Sequence, residues 1–347
     1  MATINDVSKR AGVSRATVSR VIADSGYVSD EKRRLIEMAI AELGYRPNTM
    51  ARGLRSNRSN IIGAVVVDVS SPFYAKMVGG IQKGAKLSGR SVLSASGHAD
   101  AADEAHAIIE LLDRACDGLI LYLENALRPD VVELIAKSGI PVVTIGGDEC
   151  PAANAKIHID NFSGARDAMR LALGNGHRAI TYLSGGLMYR DTHDRLRGMG
   201  AALGEQGLGL DSIHIVHGEF DESFGFDGTM ALLDSGRRVT ALFAGDDDVA
   251  AGALLALKQT GKRVPEDISL IGFDDNFHAR HLTPALTTVR QPVDAVGRMA
   301  AEMLSRMIAG DSSVTREITV PTELIVRESL GRAANPQAKR QTAELTR

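Results

Sequence analysis

Two groups of side chains in this chain have the types and spacings to recognise another molecule. Near the N-terminus, Arg15, Ala16, Thr17, Ser19 and Arg20 are interleaved with the apolar Val18, Val21 and Ile22. A guanidinium fork matches the O6 and N7 acceptors of guanine, and small hydroxyls bond base edges or phosphates, so this set could read duplex DNA. Farther along, Asp68, Asp246 and Asp274 offer acceptors, Arg195 a forked donor, and Phe73 and Phe220 flat apolar faces. That mixture suits a small polyhydroxylated ligand, because carboxylates and guanidinium bond hydroxyls directionally while an aromatic ring covers the apolar side of a sugar. Each residue also has an ordinary structural use. Asp246, in GDDDVAAGAL, could cap the following helix, Arg195 and Asp274 could form an ion pair, and the phenylalanines could be core.

The first set needs a helix to present it, and TINDVSKRAGVSRATVSRV (Thr3 to Val21) supplies the local signals. Thr3 and Asp6 have the spacing of a capping box, with Val7 and Ala11 as the buried stripe. Gly12 falls in a turn that favours a residue without Cβ, and Ser14 can cap the next helix. Val18, Val21 and Ile22 then face inward, leaving the basic and hydroxyl residues outside. This is the pattern of a helix-turn-helix, whose second helix enters the major groove. A plain amphipathic hairpin would look similar, but a third helix follows. Ser29-Asp30-Glu31 starts it, Leu35, Ile36, Ala39, Ile40 and Leu43 recur at helical spacing, and Gly44 and Pro47 end it. Residues 1 to 60 hold 11 Lys and Arg against 6 Asp and Glu, whereas the remainder holds 29 against 37. The basic excess is confined to the head.

The second set falls within an alternation of apolar runs and amphipathic helical stretches. The runs are Ile61 to Val69, Ser91 to Ser96, Gly118 to Leu123, Ile140 to Ile145, Ala179 to Leu183, Ser212 to Val216, Thr240 to Gly245 and Ile268 to Phe273, with a helix near Phe73 to Leu87. This rhythm predicts doubly wound parallel α/β sheets, two rather than one, with ligands at the carboxyl ends of strands. A chain of 347 residues exceeds a single core, so a small head plus two further domains is expected. No apolar run is long enough to cross a bilayer and no secretory signal is recognisable, so a cytoplasmic protein is expected. Cys116 and Cys150 lack metal or redox spacing and are expected to be free buried thiols.

The head, followed by GYRPNTMARGLRSNRSNIIG (Gly44 to Gly63), resembles the lactose repressor family of bacterial transcription regulators, and the resemblance runs from residue 2 to about 330. It implies DNA contacts from Thr3, Ser14, Arg15, Ala16, Thr17, Ser19, Arg20 and Tyr45. It also implies a hinge helix at Asn48 to Arg55 that orders on operator DNA, with Asn48, Ala51, Leu54 and Arg55 at the duplex and Leu54 wedged into the minor groove. From the residues alone, Asn48 reads as a cap and Leu54 as a routine helix residue, in a helix too short to be stable by itself. The domains implied are a head at 1–47, hinge and linker at 48–60, and an effector-binding, dimerising domain at 61–331. A near lobe (61–160, 292–320) and a distal lobe (161–291, 322–331) make up that domain in a periplasmic-binding-protein-like fold, and a flexible tail follows at 332–347.

For the effector, the resemblance places Arg195 (in YRDTHDRLRG), Asp274 (in IGFDDNFHAR), Phe220, Gln291 and Phe73 at contact positions, beside the Asp68 and Asp246 read from residue type. One departure stands out: Gly146-Gly147 precede Asp148 where many sugar-responsive members carry a polar or acidic residue. DVSSPFYAKMV, IDNFSGAR and the 268–292 segment are most similar to the galactose and β-glucoside regulators. A repressor of sugar uptake or catabolism genes, released by a sugar inducer, is therefore expected. The alternative is a purine-type regulator dependent on a corepressor, whose base-pairing arginine is matched here by Tyr189. The implied unit is a homodimer on a near-palindromic operator, since the tail lacks the leucine heptads that join dimers into tetramers.

An enzyme on the same kind of sheet is the rival from another class. GxxxxGK[ST], GxGxxG after a strand, GxSxG and HExxH are all missing, and His98, His158, His177 and His193 are scattered. No catalytic residue, cofactor or metal is expected. An architectural DNA-binding protein would not need so large a second domain.

Overall fold

The computed structural model describes residues 2–45, 58–147 and 149–333. Two compact units divide between Ser59 and Asn60.

In the first unit, three helices run over Ile4–Ala11 (α1), Arg15–Ile22 (α2) and Asp30–Leu43 (α3). Thr3 closes the capping box: its Oγ1 accepts from the Asp6 amide, and the Asp6 carboxylate accepts from the Thr3 amide at 2.8 Å. Gly12 sits at φ +67°, the left-handed conformation a tight inter-helix turn requires. Ser14 caps α2 by accepting from the Thr17 amide. Val7, Ala11, Val18, Val21, Ile36 and Ala39 form the core, with Ile22, Ile40, Leu43 and Tyr45 against it. Two expectations fail here. Ser29 makes no side-chain capping bond, so acidic Asp30 and Glu31 alone favour that helix start. Leu35 stays 44% exposed, because a three-helix core of this size covers only part of the stripe.

The second unit alternates strands and helices: β1 (Ile61–Val66), α4 (Pro72–Leu87), β2 (Ser91–Ser96), α5 (Ala101–Asp113), β3 (Gly118–Leu121), α6 (Pro129–Ser138), β4 (Val142–Ile145), β5 (Ala155–Ile159), α7 (Asn161–Gly174), β6 (Ile180–Gly185), α8 (Arg190–Gly204), β7 (His214–Gly218), α9 (Glu222–Asp234), β8 (Ala241–Ala244), α10 (Asp247–Gln259), β9 (Ser269–Asp274), α11 (Phe277–His281), β10 (Thr287–Arg290), α12 (Val293–Ile308), β11 (Glu317–Val320) and β12 (Glu323–Ile325). They build two six-stranded sheets, ordered β11-β5-β4-β3-β1-β2 and β12-β10-β9-β8-β6-β7. Every pairing is parallel except β10 with β12. The fold is thus a two-lobed α/β structure with one sheet per lobe.

Each sheet is covered by apolar helix faces, which explains why its central strands are continuous apolar runs. The sheet to which the chain belongs changes after β5, after β10 and after β11, so the lobes share three connections. Four strands escape the periodicity: β5, β10, β11 and β12 are short, and several alternate apolar with polar or charged residues. They form because neighbouring strands present open edges, a tertiary cause. After β10 the chain enters α12, which packs on α4 almost backbone to backbone. A Cβ on Gly80 would lie 2.1 Å from the Asp294 carbonyl oxygen, and one on Gly297 2.2 Å from that of Met77. Cys116 and Cys150 are free and buried, and burial pushes the Cys116 thiol up to about 11.

Candidate functional site

On the head, α2 offers Arg15, Ala16 and Arg20 to solvent, with Thr17 and Ser19 half-buried. Arg15 is held by the Asn5 side-chain oxygen at 3.1 Å, so a residue of α1 pre-positions it. Arg20 has no hydrogen-bonding or charged partner among the described side chains. Thr3 and Ser14 engage their hydroxyls in caps, and the Thr17 hydroxyl lies 2.8 Å from that of Ser14. Tyr45 packs against the head core. Asn48, Ala51, Leu54 and Arg55 lie outside the described residues, as does Asp148.

In the second unit the structure gathers Arg195, Phe220, Asp246, Asp274 and Gln291. Strand ends and helix starts put them there: Asp274 ends β9, Asp246 caps α10, Gln291 follows β10, and Arg195 sits one turn into α8. Arg195 is 3% exposed. Its Nε donates to Asn161 Oδ1 (3.2 Å), Nη1 to the Gly245 carbonyl (2.5 Å) and Nη2 to Asp191 Oδ2 (3.5 Å), with Asp274 at 4.0 Å. Its guanidinium carbon stands 4.0 Å from the Phe273 ring centre and 5.5 Å from that of Phe220. Contact with both rings restrains the guanidinium.

The Phe220 ring lies over Gly185, where a Cβ would come within 2.1 Å of it, and meets Tyr189 at 5.1 Å. Asp246 Oδ1 accepts from the Val249 amide at 2.7 Å, the capping use open from the sequence. Gln291 Nε2 donates to Asp274 Oδ1 at 2.6 Å, leaving Gln291 Oε1 buried with no hydrogen-bond partner among the described residues.

Several acids crowd one arginine. Burial, with repulsion from Asp274, pushes Asp246 up to about 8. Burial pushes Asp274 up to about 6, opposed by Arg195 and the Gln291 hydrogen bond. Asp191, missed in the sequence, is raised by burial against the pull of Arg195. The site is rich in carboxyl oxygens, Asp246 holds a proton it can donate near neutral pH, and the Arg195 fork is largely committed, so a neutral occupant whose hydroxyls both donate and accept fits it better than an anion.

Phe73 joins through a relay. It packs edge-on against Tyr74 (5.0 Å) and Tyr122 (6.3 Å), and the Tyr122 hydroxyl donates to Asp191 Oδ2 at 3.2 Å. Asp68 stands apart, with its oxygens accepting from the Ser70 amide and hydroxyl, which lower its pKa. A small cavity of about 20 Å³ lies beside the cluster, lined by Tyr122, Gly146, Asn161, Arg190 and Asp191 among others. Tyr122 was undetected because nothing in its own segment distinguishes it from a core residue, whereas Asp191 carried one local signal, its i,i+4 spacing from Arg195. No cluster of potential metal ligands occurs among the described residues, and no helix there is long and apolar enough to cross a membrane.

Raised acids make a pH prediction. A carboxylate whose folded pKa exceeds its unfolded value contributes stability that is fully present below the unfolded pKa, near 4, and is lost as pH rises through the folded value. With Asp274 near 6 and Asp246 near 8, the ligand-free protein should melt lower as pH goes from 5 to 8.5. Asp246→Asn keeps a capping oxygen and removes one acid. It should flatten that fall by several degrees, read as the difference between the two Tm profiles.

Comparison with known proteins adds to this geometry. Residues 3–48 match the family model described as bacterial regulatory proteins, lacI family, and residues 170–330 match that of a periplasmic binding protein-like domain. The chain is 37% identical to the HTH-type transcriptional regulator GalS of Salmonella typhimurium and 34% identical to the HTH-type transcriptional repressor PurR of Escherichia coli, each over 95% of this chain and 97% of the relative. Among solved structures it resembles the Lac repressor dimer bound to operator and the anti-inducer ONPF, with a TM-score of 0.84, 27% identity and coverage of 95% and 99%. It also resembles the transcriptional regulator CelR–cellobiose complex, with a TM-score of 0.70, 31% identity and coverage of 95% and 100%.

Proposed function

The chain belongs to the LacI family of bacterial transcriptional regulators and is not an enzyme, and from that premise we propose a repressor whose hold on its operator is relieved by a small neutral sugar. The observation that carries the sugar is Arg195 over the Phe220 and Phe273 rings, with Asp191, Asp246 and Asp274 acting on its charge and, beside Asp274, a buried Gln291 Oε1 that has no hydrogen-bond partner among the described residues. Hydroxyls can donate to those acceptors while a ring face lies on Phe220. In this reading 1–47 is the head, 48–60 the connection, and 61–331 the effector and dimerisation unit. Asp68 is the weakest member of the effector set, because both its oxygens are already bonded.

The operator is read by α2, and two heads of a homodimer give a near-palindromic site. Sugar and operator compete through one conformational equilibrium, so each lowers affinity for the other by the same factor. The deciding experiment is a thermal-shift screen of neutral sugars followed by operator titration with each hit. A sugar that raises Tm and weakens operator binding is the expected result; a purine that raises Tm and strengthens it would replace this reading with the corepressor one.

At the DNA end, Arg20→Ala should relax preference at one base pair per half-site and weaken the best site by about 1–3 kcal/mol. Titrations against operator variants check this. A uniform loss over all sequences, with a salt slope lower by ~1, would mark Arg20 as a phosphate contact instead.

A further inference from the structure

The two lobes meet across the cleft at the N-terminus of α8. The Arg190 amide donates to Glu124 Oε2 at 3.1 Å, Arg190 Nη1 donates to Glu149 Oε1 at 3.0 Å, and the Tyr122 hydroxyl donates to Asp191 Oδ2 at 3.2 Å. Tyr122 and Glu124 follow β3 and Glu149 follows β4, both in the first sheet, whereas α8 follows β6 of the second. These contacts therefore join two bodies linked otherwise by three chain connections. Arg190 and the effector-facing Arg195 lie on the same helix, so whatever holds Arg190 also sets where Arg195 stands relative to the first lobe.

The loop after β4 is built around this ion pair. A Cβ on Gly147 would lie 1.5 Å from Arg190 Nη1 and 2.1 and 2.4 Å from the two Glu149 carboxylate oxygens. The guanidinium and the carboxylate thus occupy the space a side chain at 147 would fill. Gly146 precedes it at φ +103°, a conformation that side chains resist. The missing polar residue at this loop has a physical counterpart: the polar group comes from the opposite lobe.

We propose that the Arg190–Glu149 pair is a latch that holds the cleft closed, with Arg190 positioning Arg195 over the site and Gly146-Gly147 providing its seat. The latch rests on reading the cleft as the effector site only for its consequence, that opening releases the effector; its existence does not depend on that reading. The side chains are 36% and 15% exposed, so the pair is weaker than a buried one and should favour closure by about fivefold.

A ligand-free measurement on the full chain tests it. Leu134 on α6 and Leu255 on α10 are exposed and can be replaced by spin-labelled cysteines, while Cys116 and Cys150 are buried. Labelled protein is diluted into unlabelled protein so that only distances within one chain are read. Electron double resonance should show one dominant distance in the parent and a population shift of about fivefold toward another in Arg190→Ala and in Glu149→Gln. The exchanged pair R190E/E149R should restore the parent distribution, which a merely structural role would not do. Unchanged distributions in both single variants, or no recovery in the exchanged pair, would overturn the latch. D-galactose and cellobiose thermal shifts on the same samples report separately on the effector reading, so the two can fail independently.

Discussion

Arg195→Ala is expected to abolish the response to any sugar that releases the parent protein from its operator, while leaving unliganded operator binding in place. Arg195 hydrogen-bonds Asn161, Gly245 and Asp191, stands 4.0 Å from Asp274, and lies over the Phe273 and Phe220 rings. Truncating one member of a buried, hydrogen-bonded charge group costs about 2–5 kcal/mol, so effector affinity should fall by about 30-fold to several thousand-fold. Arg195→Lys should not rescue it. An ammonium retains the charge and three donors, but on one compact nitrogen, so it lacks the planar fork whose separate nitrogens reach Asn161 and Gly245 and lie over Phe273. Calorimetric titration of the sugar, with operator binding measured in its presence and absence, checks both variants. Normal induction in Arg195→Ala would remove the cleft from the effector reading.

Val18→Asp should eliminate operator binding and leave effector binding intact. Val18 is fully buried among only six core residues of the head. An unpaired carboxylate there costs several kcal/mol, a large share of what so small a core can supply. The second unit has its own four apolar clusters and none includes a head residue. The sugar-induced rise in Tm of the variant should therefore match the parent. Loss of that rise would mean that the two units do not fold independently.

Much of this was legible because it is local. Thr3 and Asp6 cap α1 through contacts three residues apart, Gly12 takes its left-handed turn from its own lack of a Cβ, and central strands such as ISLIGF are apolar because both faces are covered. Where neighbours in space decide, the sequence was silent or misleading. Ser29 occupies a capping position without capping, Leu35 falls on the apolar stripe yet faces solvent, and β10 to β12 are strands only because an adjacent edge accepts them. Asp68 has the residue type of a ligand contact but is satisfied within its own turn. Asp191 stands one helical turn from Arg195, a local spacing, but its place in the cleft is set by Tyr122, which reaches it from the other lobe.

By itself, then, the sequence determined the helix-turn-helix, the basic excess of the head and the α/β rhythm of the second unit, since caps, turns and apolar periodicity act over a few residues. Which acids share Arg195, why Gly146-Gly147 stand where a polar residue was expected, and that Arg190 reaches Glu149 were decided only by tertiary structure. Asp274 is brought to Arg195, and Glu149 to Arg190, within about 3–4 Å by segments far apart in the chain. At such distances, away from bulk water, charge interactions are strong enough to set which groups hold protons and how the lobes meet.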